Sequence, residues 1–198
     1  MMSGIVNEKS FDIIFRDGRT HSVWLDKPVT DITLQALYDL LSLGPTSANC
    51  SPARFLFLRS QEAKQRLRPY LSTGNTEQTM SAPVVAIVGY DLAFCNKFDT
   101  LWPGNKEVRG WFEGNEQKLL DTAFRNGSMQ GAYMIISARA LGLDCGPMSG
   151  FDNAGVDREF FPDSTVRTNF LCNLGHGNPA ALPPRKPRLG FGEAAEVI

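Results

Sequence analysis

The chain has 198 residues, 42% of them apolar and 21% charged, the balance of a globular protein and not of a disordered one. A formal net charge of −1 gives no basic field for a nucleic-acid backbone or an anionic bilayer, and no apolar run approaches the ~18–20 residues of a membrane-spanning helix. The start, MMSGIVNEKS, lacks the basic and apolar stretches of a signal peptide, and Cys50, Cys95, Cys145 and Cys172 stand at no metal-finger spacing, so a cytoplasmic chain with reduced thiols and no metal is expected.

In chain order, residues 7–15 predict a short helix and 16–22 a polar loop. Thr30 or Asp31 caps a helix running to about Leu43; Leu34, Leu37 and Leu41 make its apolar stripe, and Gly44 stands where a left-handed C-terminal glycine belongs. RFLFLR at 54–59 predicts a strand, followed by helices over 61–70 and 75–81. PVVAIVGY at 83–90, β-branched and apolar on both faces, predicts the central strand of a sheet covered on both sides. Periodicity weakens over 91–115, an excursion whose Trp102, Trp111 and Phe112 read either as core or as a substrate lid. Residues 116–141 form the longest helical pattern, ended by Gly142. Ala123, Phe124, Met129, Ala132, Tyr133 and Ile136 give it a wide apolar surface, and Gly127, Ser128, Gly131 and Ala132 would admit another helix closely. A loop with a short extended piece over 143–151, a short helix over 153–161, a strand over 169–174 and a Pro- and Arg-rich tail complete the chain. No repeat or linker interrupts it, so one α/β domain over 1–198 is expected, a central sheet with helices on both faces.

Hydrolytic and phosphoryl-transfer chemistry is poorly provided for. There are two histidines, His21 and His176, neither with an evident triad partner, and GPMSG at 146–150 places its serine one position late for a nucleophile elbow. No P-loop, zinc-protease or calcium-loop spacing occurs. Gly175-His176-Gly177-Asn178-Pro179-Ala180 fits G-x-G-x-x-A, but Pro179, Pro183, Pro184 and Pro187 prevent the helix a dinucleotide fingerprint must open, so it reads as a turn. No catalytic side chain is assigned, and a cofactor is expected to carry the reaction.

Three boundary segments are rich in small hydroxyl, amide and proline residues: Arg19-Thr20-His21-Ser22, then 44–49 with Pro45, Thr46, Ser47 and Asn49, then 146–150 with Pro147, Met148, Ser149 and Gly150. A flavin mononucleotide makes matching demands, with guanidinium and hydroxyl donors for its phosphate, polar partners for its ribityl chain and ring edge, and apolar contacts for its faces. Composition alone leaves ordinary turns as the alternative.

The motifs GRTHSVW (18–24), GPTSANCSPARF (44–55), Asn75…Gln78…APVVAIV, TAFRNGSMQ (122–130), ALGLDCGPMSGFD (140–152) and LPPRKPRL (182–189) resemble the nitroreductase-like flavoprotein family over nearly the whole chain. Within it they look most like the HadB/RutE branch, typified by the malonic semialdehyde reductase of pyrimidine breakdown. The resemblance implies an α+β sandwich and a homodimer with FMN at its interface, its core formed by helix 116–141. It also implies NADH or NADPH as electron donor and a small-molecule substrate. It places Arg19, Thr20, His21 and Ser22 at the phosphate and ribityl chain. Pro45, Thr46, Ser47 and Asn49 would reach the flavin from the partner, Asn75 and Gln78 would lie at the ring edge, Pro147–Gly150 near N5, and Arg185 at the phosphate. Arg188 matches less well. Ser22 and Gln78 stand where other members carry basic residues, and Ser149 where some carry Glu. Ping-pong hydride transfer to a small carbonyl compound such as 3-oxopropanoate is the reading favoured; a broad nitro- or quinone reductase and a flavin-binding protein with little turnover are the alternatives. His21 could serve through its backbone alone, Met148 by packing, and Arg185 as a solvated tail charge.

Overall fold

The computed structural model describes residues 4–198. Its helices are α1 (Glu8–Phe11), α2 (Asp31–Leu41), α3 (Gln61–Leu67), α4 (Thr73–Ser81), α5 (Phe98–Leu101), α6 (Glu116–Ala140), α7 (Asn153–Phe160) and α8 (Phe191–Ala194). Strands β1 (Ala53–Leu58), β2 (Val84–Asp91), β3 (Asp144–Met148) and β4 (Val166–Gly175) form one antiparallel sheet in the order β1-β2-β4-β3. The fold is α+β, with helices on both faces of the sheet, as the sequence implies.

Period-two alternation assigns the two faces. Val84, Ala86 and Val88 of β2 join Cys172 and Leu174 of β4 in a core closed by Leu37 and Leu41 of α2 and Met134 and Ala138 of α6. Val85, Ile87 and Leu171 point the other way, against Leu67 of α3, Ala82 at the end of α4 and Val156 of α7. Fully burying a side chain of this size stabilises the fold by about 1.5–3 kcal/mol. The Thr30 hydroxyl caps α2 by accepting the Thr33 N–H at 3.2 Å, and Gly142, at φ +75°, ends α6. Residues 7–15 hold α1 and then a π-helical turn over 12–16.

The short extended piece expected within 143–151 is strand β3, over 144–148; Pro147 is tolerated because β3 is an edge, where its missing N–H breaks no inner ladder. Three expectations are corrected. Gly44 is not left-handed: a Cβ there would lie 2.1 Å from the Tyr133 ring, so close approach accounts for the glycine. Gly127 and Gly131 admit the sheet and not a helix, facing Tyr90 of β2 and Phe170 of β4. The apolar surface of α6 is split, because Phe124, Met129 and Ile136 are exposed while Asn126 and Gln130 are buried against the sheet.

The excursion over 91–115 has its own small core. Phe94 meets Phe98 and Phe112 edge-on with ring centroids 6.0 and 5.2 Å away, over buried Cys50, Val108 and Ala123. Phe112 is therefore core, whereas Trp102 and Trp111 are exposed and meet each other edge-on at 5.8 Å.

Candidate cofactor and active site

The N-terminal segment reaches the site by pairing with the free edge of β3. Thr20 forms a parallel bridge with Cys145, and the His21 N–H donates to the Cys145 carbonyl at 3.0 Å. This places Arg19 and Thr20 at the sheet edge, with Ser22 exposed beside them. The His21 ring turns inward. It is buried, its Nε2 lies 3.4 Å from Asp144 Oδ1, and Gly177 must be glycine because a Cβ would fall 2.0 Å from its Nδ1. Asp144 Oδ2 also accepts the Gly177 N–H at 2.8 Å. His21 thus anchors the segment through its side chain.

Arg19 and Thr20 open onto a cleft of about 550 Å³ lined by Phe15, Gly18, Arg139, Pro183, Pro184, Arg185, Lys186 and Arg188. Five of the lining residues are cations and none is acidic. The Pro- and Arg-rich tail is held there from both sides: Arg19 donates to the Pro183 carbonyl, and Arg185 Nη2 donates to the carbonyls of Arg16 and Gly18 at 2.6 and 2.9 Å. Arg185 is therefore folded back against the N-terminal segment. Arg139, in the last turn of α6, was not among the sequence candidates. A helical pattern shows that it lies in α6 but not that its side faces the tail.

A second corner forms where α4 meets the end of β3. Asn75 Nδ2 donates to the Gly150 carbonyl at 2.9 Å, Gln78 Nε2 donates to Asn75 Oδ1 at 2.7 Å, and the Ser72 N–H donates to the same Gly150 carbonyl at 3.1 Å. A Cβ on Gly150 would lie 2.6 Å from Asn75 Nδ2. The Trp24 indole N–H and Asn173 Nδ2 each donate to the Gln78 carbonyl at 3.1 Å, tying α4 to the N-terminal segment and to β4. The Thr79 hydroxyl donates to Met148 Sδ at 3.3 Å. Pro147, Met148 and Ser149 then form, with Ser128, Ala132 and Ile135 of α6 and Phe170, the wall of an apolar cavity of about 390 Å³. Ile135 and Arg139 are one helical turn apart, so this cavity and the cationic cleft adjoin along one side of α6. From Ser128 to Arg139 that side spans about 16 Å.

The 45–49 segment sits elsewhere. Pro45 accepts the Tyr133 hydroxyl at 3.0 Å, the Ser47 N–H donates to Asn126 Oδ1 at 2.8 Å, Thr46 Oγ1 accepts the Ser51 N–H at 3.1 Å, and Asn49 Nδ2 donates to the Leu101 carbonyl at 2.7 Å. Ala48, Asn49 and Ser51 hold positive φ of 53°, 51° and 37°, a strained arrangement for residues other than glycine. Its contacts on α6, Asn126 and Tyr133, each lie two residues from a cavity residue, Ser128 and Ile135, which is about 200° of helix rotation. The structure therefore brings Arg19, Thr20, Arg185 and Pro147–Ser149 to one side of α6, ties Asn75 and Gln78 to the next residue, Gly150, and sets 45–49 roughly opposite.

No acid–base pair emerges at the cavity. Burial, with the Lys27 charge, holds His176 below its ordinary value against the opposing effect of Asp144, so it is neutral at pH 7. Burial pushes the Cys50 thiol up to about 11, and a hydrogen bond with Cys145 together with burial raises Cys172; these thiols are inert packing groups. A separate cleft of about 810 Å³ between 24–31 and Arg59 contains none of the site segments and is crossed by an Arg59–Asp31 ion pair at 2.6 Å. Among the described residues no group of three or more metal-ligating side chains gathers, and no helix is long and apolar enough to cross a membrane.

The donor set fits a phosphorylated, flat, amphipathic ligand. Five cations without an acid suit a phosphate, Arg139 Nε is buried with no acceptor, the amides of Asn75 and Gln78 suit a polar ring edge, and the Pro147–Ser149 wall suits a ring face. FMN has these features.

Comparison with known proteins agrees. Residues 18–176 match the model of the nitroreductase family. A protein of Cupriavidus pinatubonensis provisionally named NADH dehydrogenase/NAD(P)H nitroreductase is 53% identical over 188 residues, covering 94% of this chain and 96% of that protein. HadB of Ralstonia pickettii, provisionally given the same activity name, is 52% identical over 190 residues, covering 95% and 97%. Among solved structures, a nitroreductase-type protein of Exiguobacterium sibiricum in complex with FMN superposes with a TM-score of 0.85 at 20% identity, covering 99% of this chain and 100% of that one, a likeness of fold.

Proposed function

The chain belongs to the nitroreductase family, and on that premise we propose that it is an FMN-dependent oxidoreductase. It draws on NADH or NADPH and reduces a small carbonyl compound, with 3-oxopropanoate to 3-hydroxypropanoate as the named case. The observation that carries this reading is a cleft lined by five cations and no acid, its Arg139 one helical turn along α6 from Ile135 of the cavity walled by Pro147, Met148 and Ser149. The names of the relatives support the nicotinamide donor.

In this reading FMN, when bound, supplies a two-electron carrier that accepts hydride from the nicotinamide and delivers it to the acceptor. The protein's own residues bind and orient. Arg19, Thr20 and Arg185 hold the phosphate, assisted by the backbone of His21 and by Ser22. Asn75 and Gln78, locked to each other and to Gly150, present amides to the ring edge at fixed positions, which lowers the reorganisation needed during reaction. Pro147, Met148, Ser149 and Gly150 wall the reacting face, and Ser149 or water provides the product's proton. Pro45, Thr46, Ser47 and Asn49 approach from a second copy of the chain, because in one copy they lie across α6 from the other segments. A homodimer built on the exposed Phe124, Met129 and Ile136 side of α6 follows, as does a cytoplasmic location with no nucleic-acid or membrane partner.

One cavity takes one occupant at a time, so double-reciprocal plots against NAD(P)H and acceptor are expected to be parallel. The test is anaerobic: NADH or NADPH bleaches the yellow protein, and 3-oxopropanoate restores the colour. Intersecting lines, or a yellow protein that neither nucleotide bleaches, would overturn the reading. A broader nitro-reducing activity is favoured by the relatives' names, and quinone reduction belongs to the same alternative. A panel of kcat/KM values in which nitroaromatics or quinones exceed 3-oxopropanoate would establish it instead.

A further inference from the structure

We propose that Arg139 is a further ligand of the cofactor phosphate, contributed by the last turn of α6 to a cleft otherwise built from the two ends of the chain. This rests on the reading of that cleft as the FMN phosphate site. The residue is placed for the task. Arg139 lines the cleft with Arg19, Arg185, Lys186 and Arg188, and its Nη1 donates to the Ile14 carbonyl at 3.0 Å, which fixes the fork. Its Nε is buried without an acceptor, and among the described residues no carboxylate lies within 4.0 Å of the guanidinium. Gly18 makes room for it: a Cβ there would stand 2.9 Å from Arg139 Cζ.

A cation in a last turn could simply serve the helix dipole. Here that role is already filled. The carbonyls of Ser137, Ala138 and Arg139 accept the N–H groups of Leu141, Leu143 and Gly142, and left-handed Gly142 completes the cap. The guanidinium leans away from those carbonyls toward the N-terminal segment. A half-buried cation with four others around it and no acid is costly unless an anion compensates it. Guanidinium suits that anion better than ammonium, because its fork matches phosphate oxygens two at a time.

The experiment measures dissociation constants of FMN and riboflavin by flavin fluorescence for the full chain and for Arg139→Gln and Arg139→Lys. Riboflavin carries the ring and ribityl chain without the phosphate. The expected result is a loss of FMN affinity of about ten- to a hundredfold in Arg139→Gln, partly recovered in Arg139→Lys, with riboflavin bound as by the unaltered protein. Equal weakening of both ligands would make Arg139 a structural residue and overturn the proposal, as would unchanged FMN affinity. If the unaltered protein binds FMN no tighter than riboflavin, the phosphate reading of the whole cleft fails, a result distinct from the failure of Arg139 alone.

Discussion

The two sides of α6 are built on opposite terms. Toward the sheet buried amides are answered from within: Asn126 accepts from Ser47 and donates to the Thr122 carbonyl at 2.8 Å each, and Gln130 Oε1 accepts the Ala53 N–H at 2.8 Å. Gly127 and Gly131 bring the backbone against Tyr90 and Phe170. On the outer side Phe124, Met129 and Ile136 remain 50%, 37% and 37% exposed, a wide apolar face for a folded chain. Farther along, Arg139 sits among cations with no acid. A buried polar group that is answered is architecture. Among the described residues, the outer side leaves a cation without a counter-charge and apolar side chains uncovered.

That contrast can be pressed at neighbouring positions. Met134→Ala, on the closed side, is expected to cost about 2–5 kcal/mol in denaturant unfolding, because Met134 is fully buried. Ile136→Ala, two residues on, should cost the folded chain little and weaken association instead, with an effect that fades as protein concentration rises. Equal, concentration-independent losses would erase the distinction. Arg185→Ala should remove a charge-assisted contact worth roughly 1.5–3 kcal/mol, about 10- to 150-fold in FMN affinity, while leaving the apoprotein's Tm in place. An unchanged titration would return Arg185 to a solvated tail charge.

Gln130→Leu should do the reverse, costing about 1–3 kcal/mol of stability by leaving the Ala53 N–H unanswered, with the flavin preference for FMN over riboflavin kept. The smallest effect is at acid pH. Burial pushes the Asp91 carboxyl up, but the Thr165 hydroxyl, the Ala93 N–H and the Arg54 guanidinium, 2.6 Å from Oδ2, outweigh it and hold it below its ordinary value. Its contribution is therefore present above the unfolded carboxylate pKa of about 3.9 and lost as pH falls through the folded value. Urea midpoints of the unaltered protein should fall below about pH 4 more steeply than those of Asp91→Asn; parallel acid limbs would remove Asp91 from the account.

Much of this was legible in the sequence because the signals were local. The N-cap of α2, the glycine that ends α6, the all-apolar β2 and the stripe of Leu37 and Leu41 follow from neighbours in the chain. Of the segments named from motif resemblance, 19–22 lies alongside β3 at Cys145, and Asn75 meets Gly150 just beyond it. What failed to show depended on long-range fit. The extent of β3 did not show, because Gly146-Pro147 has low strand propensity and is held by pairing with β4. Gly44 depends on Tyr133, 89 positions away in the chain. The sidedness of α6 was misjudged because volume, not hydropathy, decides what meets the sheet there: glycines and paired amides fit, and Phe124 does not. Arg139 lay unnoticed in a good helical pattern, since only the folded tail reveals that its side is cationic.

In the proposed function, FMN and a second copy of the chain complete the open side of α6. Native mass spectrometry of the protein reconstituted with FMN tests both at once. The expected species carries two chains and two noncovalently held FMN molecules, and denaturation releases the flavin intact. A single chain loaded with flavin, or a dimer that takes none, would contradict it.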